Sequence, residues 1–174
     1  MTRTKTAKAK APARRGRGAP KSSDQKIVTY LWFHDRAEEA ATFYVSLFED
    51  SKVLSVFRTG DHALLVTFQL AGQQFIALNG GPQFTFTEAT SLYVNCESQE
   101  EVDDLWARLT ADGGAPSMCG WLKDKFGLSW QIIPTALPTL MNDKDPAKAK
   151  RVMDAMLTMR KIDIAMLERA HQGR

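Results

Sequence analysis

Ile27-Val28-Thr29-Tyr30-Leu31-Trp32-Phe33 is β-branched and aromatic almost throughout and about one strand long. Asp35 follows, with Glu38 three residues on, which predicts an approximate capping box at a helix start. Ala37, Ala40, Ala41, Tyr44, Val45 and Phe48 then recur at helical spacing, and Glu49-Asp50-Ser51 ends that helix. Lys52–Arg58, Ala63–Leu70 and Gln73–Leu78 read as strands, separated by turns at Gly60-Asp61-His62 and Ala71-Gly72. The same order then returns. Leu92-Tyr93-Val94-Asn95-Cys96 is a strand candidate, and Ser98-x-x-Glu101 is a complete capping box. Val102, Leu105, Trp106 and Leu109 share a helical face, and Gly113-Gly114 supplies a left-handed stop. Ser117–Lys123 and Leu128–Ile133 read as further strands, the latter closed by Pro134.

The two caps, Asp35 and Ser98, lie 63 positions apart and open helices of similar length. An internal duplication of a β-α-β-β-β unit accounts for this. One such unit leaves a sheet face bare, so two must associate, within a chain or between chains. The expected fold is α+β: modules at about 27–82 and 91–134 form a curved mixed sheet within a domain spanning 27–137, and 138–174 is a C-terminal helical extension. Each helix is expected outside its sheet, leaving the concave space between the sheets as the ligand site. In the extension, Asp145-Pro146 predicts a helix start, and Val152, Met153, Met156 and Met159 one apolar face. Ile164, Met166 and Leu167 belong to a second short helix. Gly80-Gly81-Pro82 is followed by no helix pattern, so it lacks the geometry of a phosphate cradle.

The chain has 174 residues, 44% hydrophobic and 25% charged, which excludes a wholly disordered protein. No apolar run approaches the roughly 18 residues of a membrane span, and no secretory signal follows the basic start. Cys96 and Cys119 are too few and too far apart for a disulfide framework or a paired-cysteine zinc site. Seven methionines and two free thiols fit a reducing cytoplasm. The net charge of +3 is uneven: residues 1–26 hold nine Lys/Arg and one acid, the rest 14 basic and 19 acidic groups. With no aromatic and no aliphatic side chain larger than alanine between Met1 and Ile27, residues 1–26, otherwise mostly Ala, Thr, Gly, Pro and Ser, read as a disordered basic tail. A solvated extension, a non-specific nucleic-acid anchor and a transit-like segment all fit its composition.

Three segments carry a resemblance. Leu31-Trp32-Phe33 with Ala37-Glu38-Glu39-Ala40-Ala41-x-Phe43-Tyr44-x-x-Leu47-Phe48, then Ala77-Leu78-Asn79-Gly80-Gly81-Pro82, then Gly120-Trp121-Leu122-Lys123-Asp124-x-Phe126-Gly127-Leu128-Ser129-Trp130-Gln131 resemble the PhnB-like proteins. These belong to the glyoxalase, bleomycin-resistance and extradiol-dioxygenase (vicinal oxygen chelate) superfamily, and many carry the label 3-demethylubiquinone-9 3-methyltransferase. The resemblance implies paired β-α-β-β-β modules, often in a homodimer, with a site inside each curved sheet. In its metal-dependent enzymes, His and Glu side chains on facing strands hold a divalent cation that acts as a Lewis acid. Those ligand positions fall near Thr29, near Ser91 or Leu92, on Asn79 and on Gln131. None is His, Asp or Glu, and neutral oxygen donors alone make a poor shell for a catalytic dication. His34, His62 and His171 have no partners at metal-site spacing and read as solvated surface histidines.

The expectation is therefore a site without metal or cofactor. Asn79, Trp121, Trp130 and Gln131, with Thr29 and Ser91, are its candidate lining, since amides hydrogen-bond a small organic ligand and indoles supply flat walls. The alternative stays open that the tryptophans fill the core and the amides satisfy backbone groups. Cys119 has no base beside it and reads as an inert thiol. The methyltransferase label implies a parallel sheet with a glycine-rich loop, which the chain does not show. The expected protein is a small-molecule binder and a homodimer. An enzyme of the superfamily is the alternative, whether methyltransferase or metal-dependent lyase or isomerase, and an accessory tethered to nucleic acid by its tail is the third.

Overall fold

The computed structural model describes residues 25–174. The basic tail expected over 1–26, with its nucleic-acid contact, lies outside the described residues except for Gln25 and Lys26. Strand β1 (Thr29–Phe33) leads into helix α1 (Ala37–Val45), then β2 (Lys52–Thr59), β3 (His62–Leu70) and β4 (Gln73–Asn79). The second pass is β5 (Ser91–Cys96), α2 (Gln99–Thr110), β6 (Ala115–Pro116), β7 (Trp121–Lys123) and β8 (Ser129–Pro134). Helices α3 (Ala136–Met141), α4 (Pro146–Met156) and α5 (Ile164–Gln172) complete the chain. The strands form two mixed sheets of the same topology, β1-β4-β3-β2 and β5-β8-β7-β6. In each, the strand before the helix runs parallel to the last strand, and the remaining pairs are antiparallel. The duplicated α+β unit is therefore present. Among the described residues no helix is long and apolar enough to cross a membrane.

The helices do not sit where expected. Tyr44 of α1 is fully buried and touches Phe68 of β3 on one side and Trp130 of β8 on the other. Helix α1 thus lies between the two sheets, and one continuous core joins its Ala37, Ala40 and Ala41 to Val102, Leu105 and Leu109 of α2. Most of the space between the sheets is filled by that shared core, leaving a pocket of about 410 Å³ between Phe48, Leu70 and Phe75 of the first module and Leu92, Val94 and Trp130 of the second. The faces turned away from the helices are open. The physical reason is area: the apolar stripe of α1 covers its own sheet and still presents Tyr44, with Phe48 just beyond the helix end, to Trp130 of the other.

Two local expectations also change. Helix α1 has no Asp35 cap: Arg36 occupies the N-cap position without a side-chain bond, and the Ala37 N–H donates instead to Asn79 Oδ1 at 2.7 Å. By contrast the Ser98 cap forms as read, with Glu101 N–H donating to Ser98 Oγ at 3.2 Å. The stretch Ser117–Lys123 is not one strand, because Cys119 and Gly120 both take positive φ (57° and 82°). That turn separates β6 from β7. It also receives the C-terminal helices, since Cys119 N–H and Gly120 N–H donate to the carbonyls of Met159 and Arg160 at 2.8 and 2.7 Å. A Cβ on Gly120 would stand 2.6 Å from Ile133 Cδ1 and 3.0 Å from the Ile132 carbonyl, so only glycine fits there.

The extension has its own small core of Leu137, Val152, Met159, Ile162 and Leu167, seated on Ile133 of β8. Asp145 caps α4 through the Ala147 N–H as expected. Met153 is nearly half exposed and lies outside that core. His171 is not a free surface histidine: it meets Asp143 at 2.8 Å and ties α5 to the α3–α4 connection.

Candidate functional site

Strand register decides which side chains share the open face of the second sheet. Tyr93, Gln131 and Trp121 are mutually paired across β5, β8 and β7 and form one row. Ser91, Ser129 and Lys123 form the next. The opposite, core-facing row is Leu92, Trp130 and Leu122. The open rows thus hold two hydroxyls, an amide, an indole, a phenol and an ammonium. Gln131 Nε2 donates to Ser91 Oγ at 2.8 Å, linking the rows. A pocket of about 450 Å³ lies at the β6–β7 end of this face, lined by Glu88, Ser117, Trp121, Lys123 and Ser129 among others but not by Gln131, while Ser91 and Tyr93 line the separate pocket between the modules.

Of the sequence candidates, the structure brings Ser91, Trp121 and Gln131 together. It places Trp130 on the opposite face, 1% exposed, with its indole N–H donating to Asp124 Oδ2 at 2.8 Å. Neighbours in a strand point to opposite faces, so Trp130 and Gln131 cannot line one cleft. Thr29 pairs with Phe75 and shares the core side of the first sheet with Leu31 and Phe33. Asn79 also faces the helix side, where its amide is occupied: Oδ1 accepts from Ala37 N–H and Nδ2 donates to the Ala63 carbonyl at 2.9 Å.

Three groups were missed by the sequence reading. Asp124, 2% exposed, accepts from Tyr44 Oη–H at 2.7 Å, from the Trp130 indole, and from the backbone N–H groups of Phe126 and Leu128. Burial pushes its carboxyl above the usual aspartate range, against the four donors that pull it down. Its role is structural, a polar joint between modules. Ser129 is 1% exposed, and its hydroxyl has no hydrogen-bond partner among the described residues. An unpaired buried hydroxyl costs about 1–3 kcal/mol. Lys123 is paired with Glu88, whose carboxyl that ammonium holds below its ordinary value. The signal for Ser129 was available: it stands two residues before Gln131, on the same face of β8.

The open face of the first sheet is different in kind. Its rows are Tyr30, Ile76, Thr67, Ser55 and Trp32, Leu78, Leu65, Phe57. Tyr30 and Phe57 are more than half exposed. A metal ion of the kind the superfamily implies does not fit these donors. Neither open face presents a histidine, a cysteine or an unpaired carboxylate, and among the described residues no group of three or more His, Cys, Asp or Glu could hold an ion. Cys96 is fully buried and its thiol is pushed up to about 12 by burial, while Cys119 is half-buried.

A family model described as 3-demethylubiquinone-9 3-methyltransferase matches residues 25–133, ending within β8. Among solved structures, the PhnB protein of Bacillus cereus, described as a candidate 3-demethylubiquinone-9 3-methyltransferase, is 41% identical. It covers 62% of this chain and 97% of its own, with a TM-score of 0.58. A protein of Pseudomonas aeruginosa shares the fold at 20% identity and a TM-score of 0.53, covering 62% of this chain and 95% of its own. No curated protein matches.

Proposed function

The chain belongs to the 3-demethylubiquinone-9 3-methyltransferase family of PhnB-like proteins in the vicinal oxygen chelate superfamily, and from that premise we propose that it binds a small organic molecule on the open face of its second sheet. A second copy of the chain closes the cleft with the apolar face of its first sheet. The observation that carries this reading is the contrast between the faces. Hydroxyls, an amide and an indole stand on two adjacent rows of one sheet, and a more apolar surface, with Tyr30 and Phe57 more than half exposed and Trp32 packed against Phe84, stands on the other. Strands β1 and β5 are both unpaired edges, so two copies could also continue their sheets into one another.

Recognition in such a cleft rests on side chains alone: Gln131 and Ser91 bond polar atoms, and Trp121 packs against a flat apolar part. Methyl transfer, the reaction in the family's description, requires a bound methyl donor. The Gly80-Gly81-Pro82 turn has no helix behind it to cradle one.

Native mass spectrometry of the purified protein tests the reading. A small-molecule adduct is expected on the dimer and lost in Gln131→Ala. Its retention in that variant, together with loss in Asn79→Ala, would move the site to the helix side of the first sheet. Thermal melts with S-adenosylmethionine, zinc, nickel and manganese complete the test. A stabilising methyl donor supports the methyltransferase reading instead, and a tight stoichiometric metal defeats the metal-free one.

A further inference from the structure

We infer that the corner formed by Ser129, Lys123 and Trp121 receives an oxyanion, the carboxylate of a flat organic molecule, and that the Glu88 carboxylate occupies that position when the ligand is absent. The inference rests on the open face being the ligand site. Ser129 lines the 450 Å³ pocket, and its hydroxyl, buried just beneath that surface, has no partner among the described residues, so the protein keeps a donor there without using it. In the same row Lys123 supplies an ammonium, and Trp121 stands beside it in the next. The Trp121 indole N–H donates to no group among the described residues. Donors outnumber acceptors at this corner. The one anion present is Glu88, which comes from the connection between the modules rather than from the sheet, with a side chain 64% exposed.

That pairing is what an exchangeable stand-in requires. An exposed ion pair is weak, so a ligand carboxylate can replace Glu88 at the ammonium while also accepting from Ser129. The aromatic or planar body of the ligand then lies against the Trp121 indole. Glu88 swings to solvent with no bond made or broken beyond the ion pair, so no co-reactant is needed.

Titration of the full-length protein with benzoate, benzamide and benzylamine, followed at the tryptophan indole NMR signals, tests the assignment, with Trp121→Phe identifying the signal. Benzoate is expected to move Trp121 and to bind about ten-fold tighter than the neutral benzamide, the effect of one charge-assisted hydrogen bond. Lys123→Met should weaken benzoate by about ten-fold and Ser129→Ala by several-fold, while Glu88→Gln tightens it by removing the competitor. A structural ion pair would not produce that last gain. Equal binding of the three probes, no movement of Trp121, or a Glu88→Gln variant that binds benzoate no better each overturns the oxyanion. Equal binding with Trp121 moving leaves the open-face site standing. Loss of the co-purifying adduct in Gln131→Ala judges that site independently.

Discussion

The two sheets share a topology and differ in what their open faces carry. On the first, register lines up Tyr30 with Ile76 and Trp32 with Leu78, Leu65 and Phe57. On the second, the equivalent surface is narrower and polar, with Ser91, Ser129, Lys123 and Gln131 in adjacent rows. The strands explain part of this: β2 and β3 run eight and nine residues, whereas β6 and β7 run two and three. Ile133, which would extend the second face, is buried under the C-terminal helices. A duplicated unit has thus kept its core pattern on both inner faces and diverged where no core constrains it. The proposed function gives one outer face to a second copy and the other to a ligand.

The largest expected effect comes from breaking the joint that holds these faces back to back. Asp124→Ala leaves the Tyr44 hydroxyl, the Trp130 indole and two backbone N–H groups buried without their acceptor. The loss should be about 3–5 kcal/mol of unfolding free energy, the range for removing one partner of a buried charged network. Urea denaturation measures it. Tyr44→Phe, which removes one donor only, should cost about 1 kcal/mol. If the two variants cost the same, Asp124 is not a joint between modules.

Next in size is the proposed contact face. Phe57 is 59% exposed in the single chain, so Phe57→Glu should leave folding intact. In a dimer it would bury a carboxylate against the partner, with a cost of about 2 kcal/mol or more and a corresponding rise in the dissociation constant. Sedimentation at several concentrations reads this directly. A Tyr93→Glu variant on the other face sharpens the comparison by showing whether both faces enter the same contact.

A smaller effect separates binding from architecture. Asn79→Ala removes the cap on α1 and should cost about 1 kcal/mol in a chemical melt. Because Asn79 faces the core side, any co-purifying ligand should be retained. Gln131→Ala should do the reverse, keeping stability while losing the ligand.

These pairs also show how much was legible in the chain. Strand and helix order could be read because Val102, Leu105 and Leu109, or Ala37, Ala40 and Tyr44, write their period plainly. So could Ser98, whose partner lies three residues away. Asn79 caps a helix that starts 42 residues earlier, a bond no local pattern records. Asp124 was invisible for the same reason: its partner Tyr44 is 80 positions distant. The face occupied by Trp130 was legible and overlooked, since period two alone separates it from Gln131. The placement of the helices between the sheets depends on how two modules meet, which neither module's sequence states.

The smallest effect is the pH dependence of the same joint, and its sign distinguishes buried from exposed carboxylates. Burial raises the Asp124 carboxyl in the folded state above its unfolded value. Its contribution to stability is therefore fully present below the ordinary aspartate value, near 4, and is lost as pH rises through the raised folded value. Asp103 behaves oppositely. Lys161 and Gln99 lower it on the exposed side of α2, so its contribution is present above the ordinary value and lost as pH falls through the folded one. The stability of the wild type relative to Asp124→Asn should then shrink from about pH 3.5 towards neutrality, while that relative to Asp103→Asn grows over the same range. Parallel slopes for the two variants would mean that the four donors around Asp124 outweigh its burial, and that the joint gains from its charge rather than tolerating it.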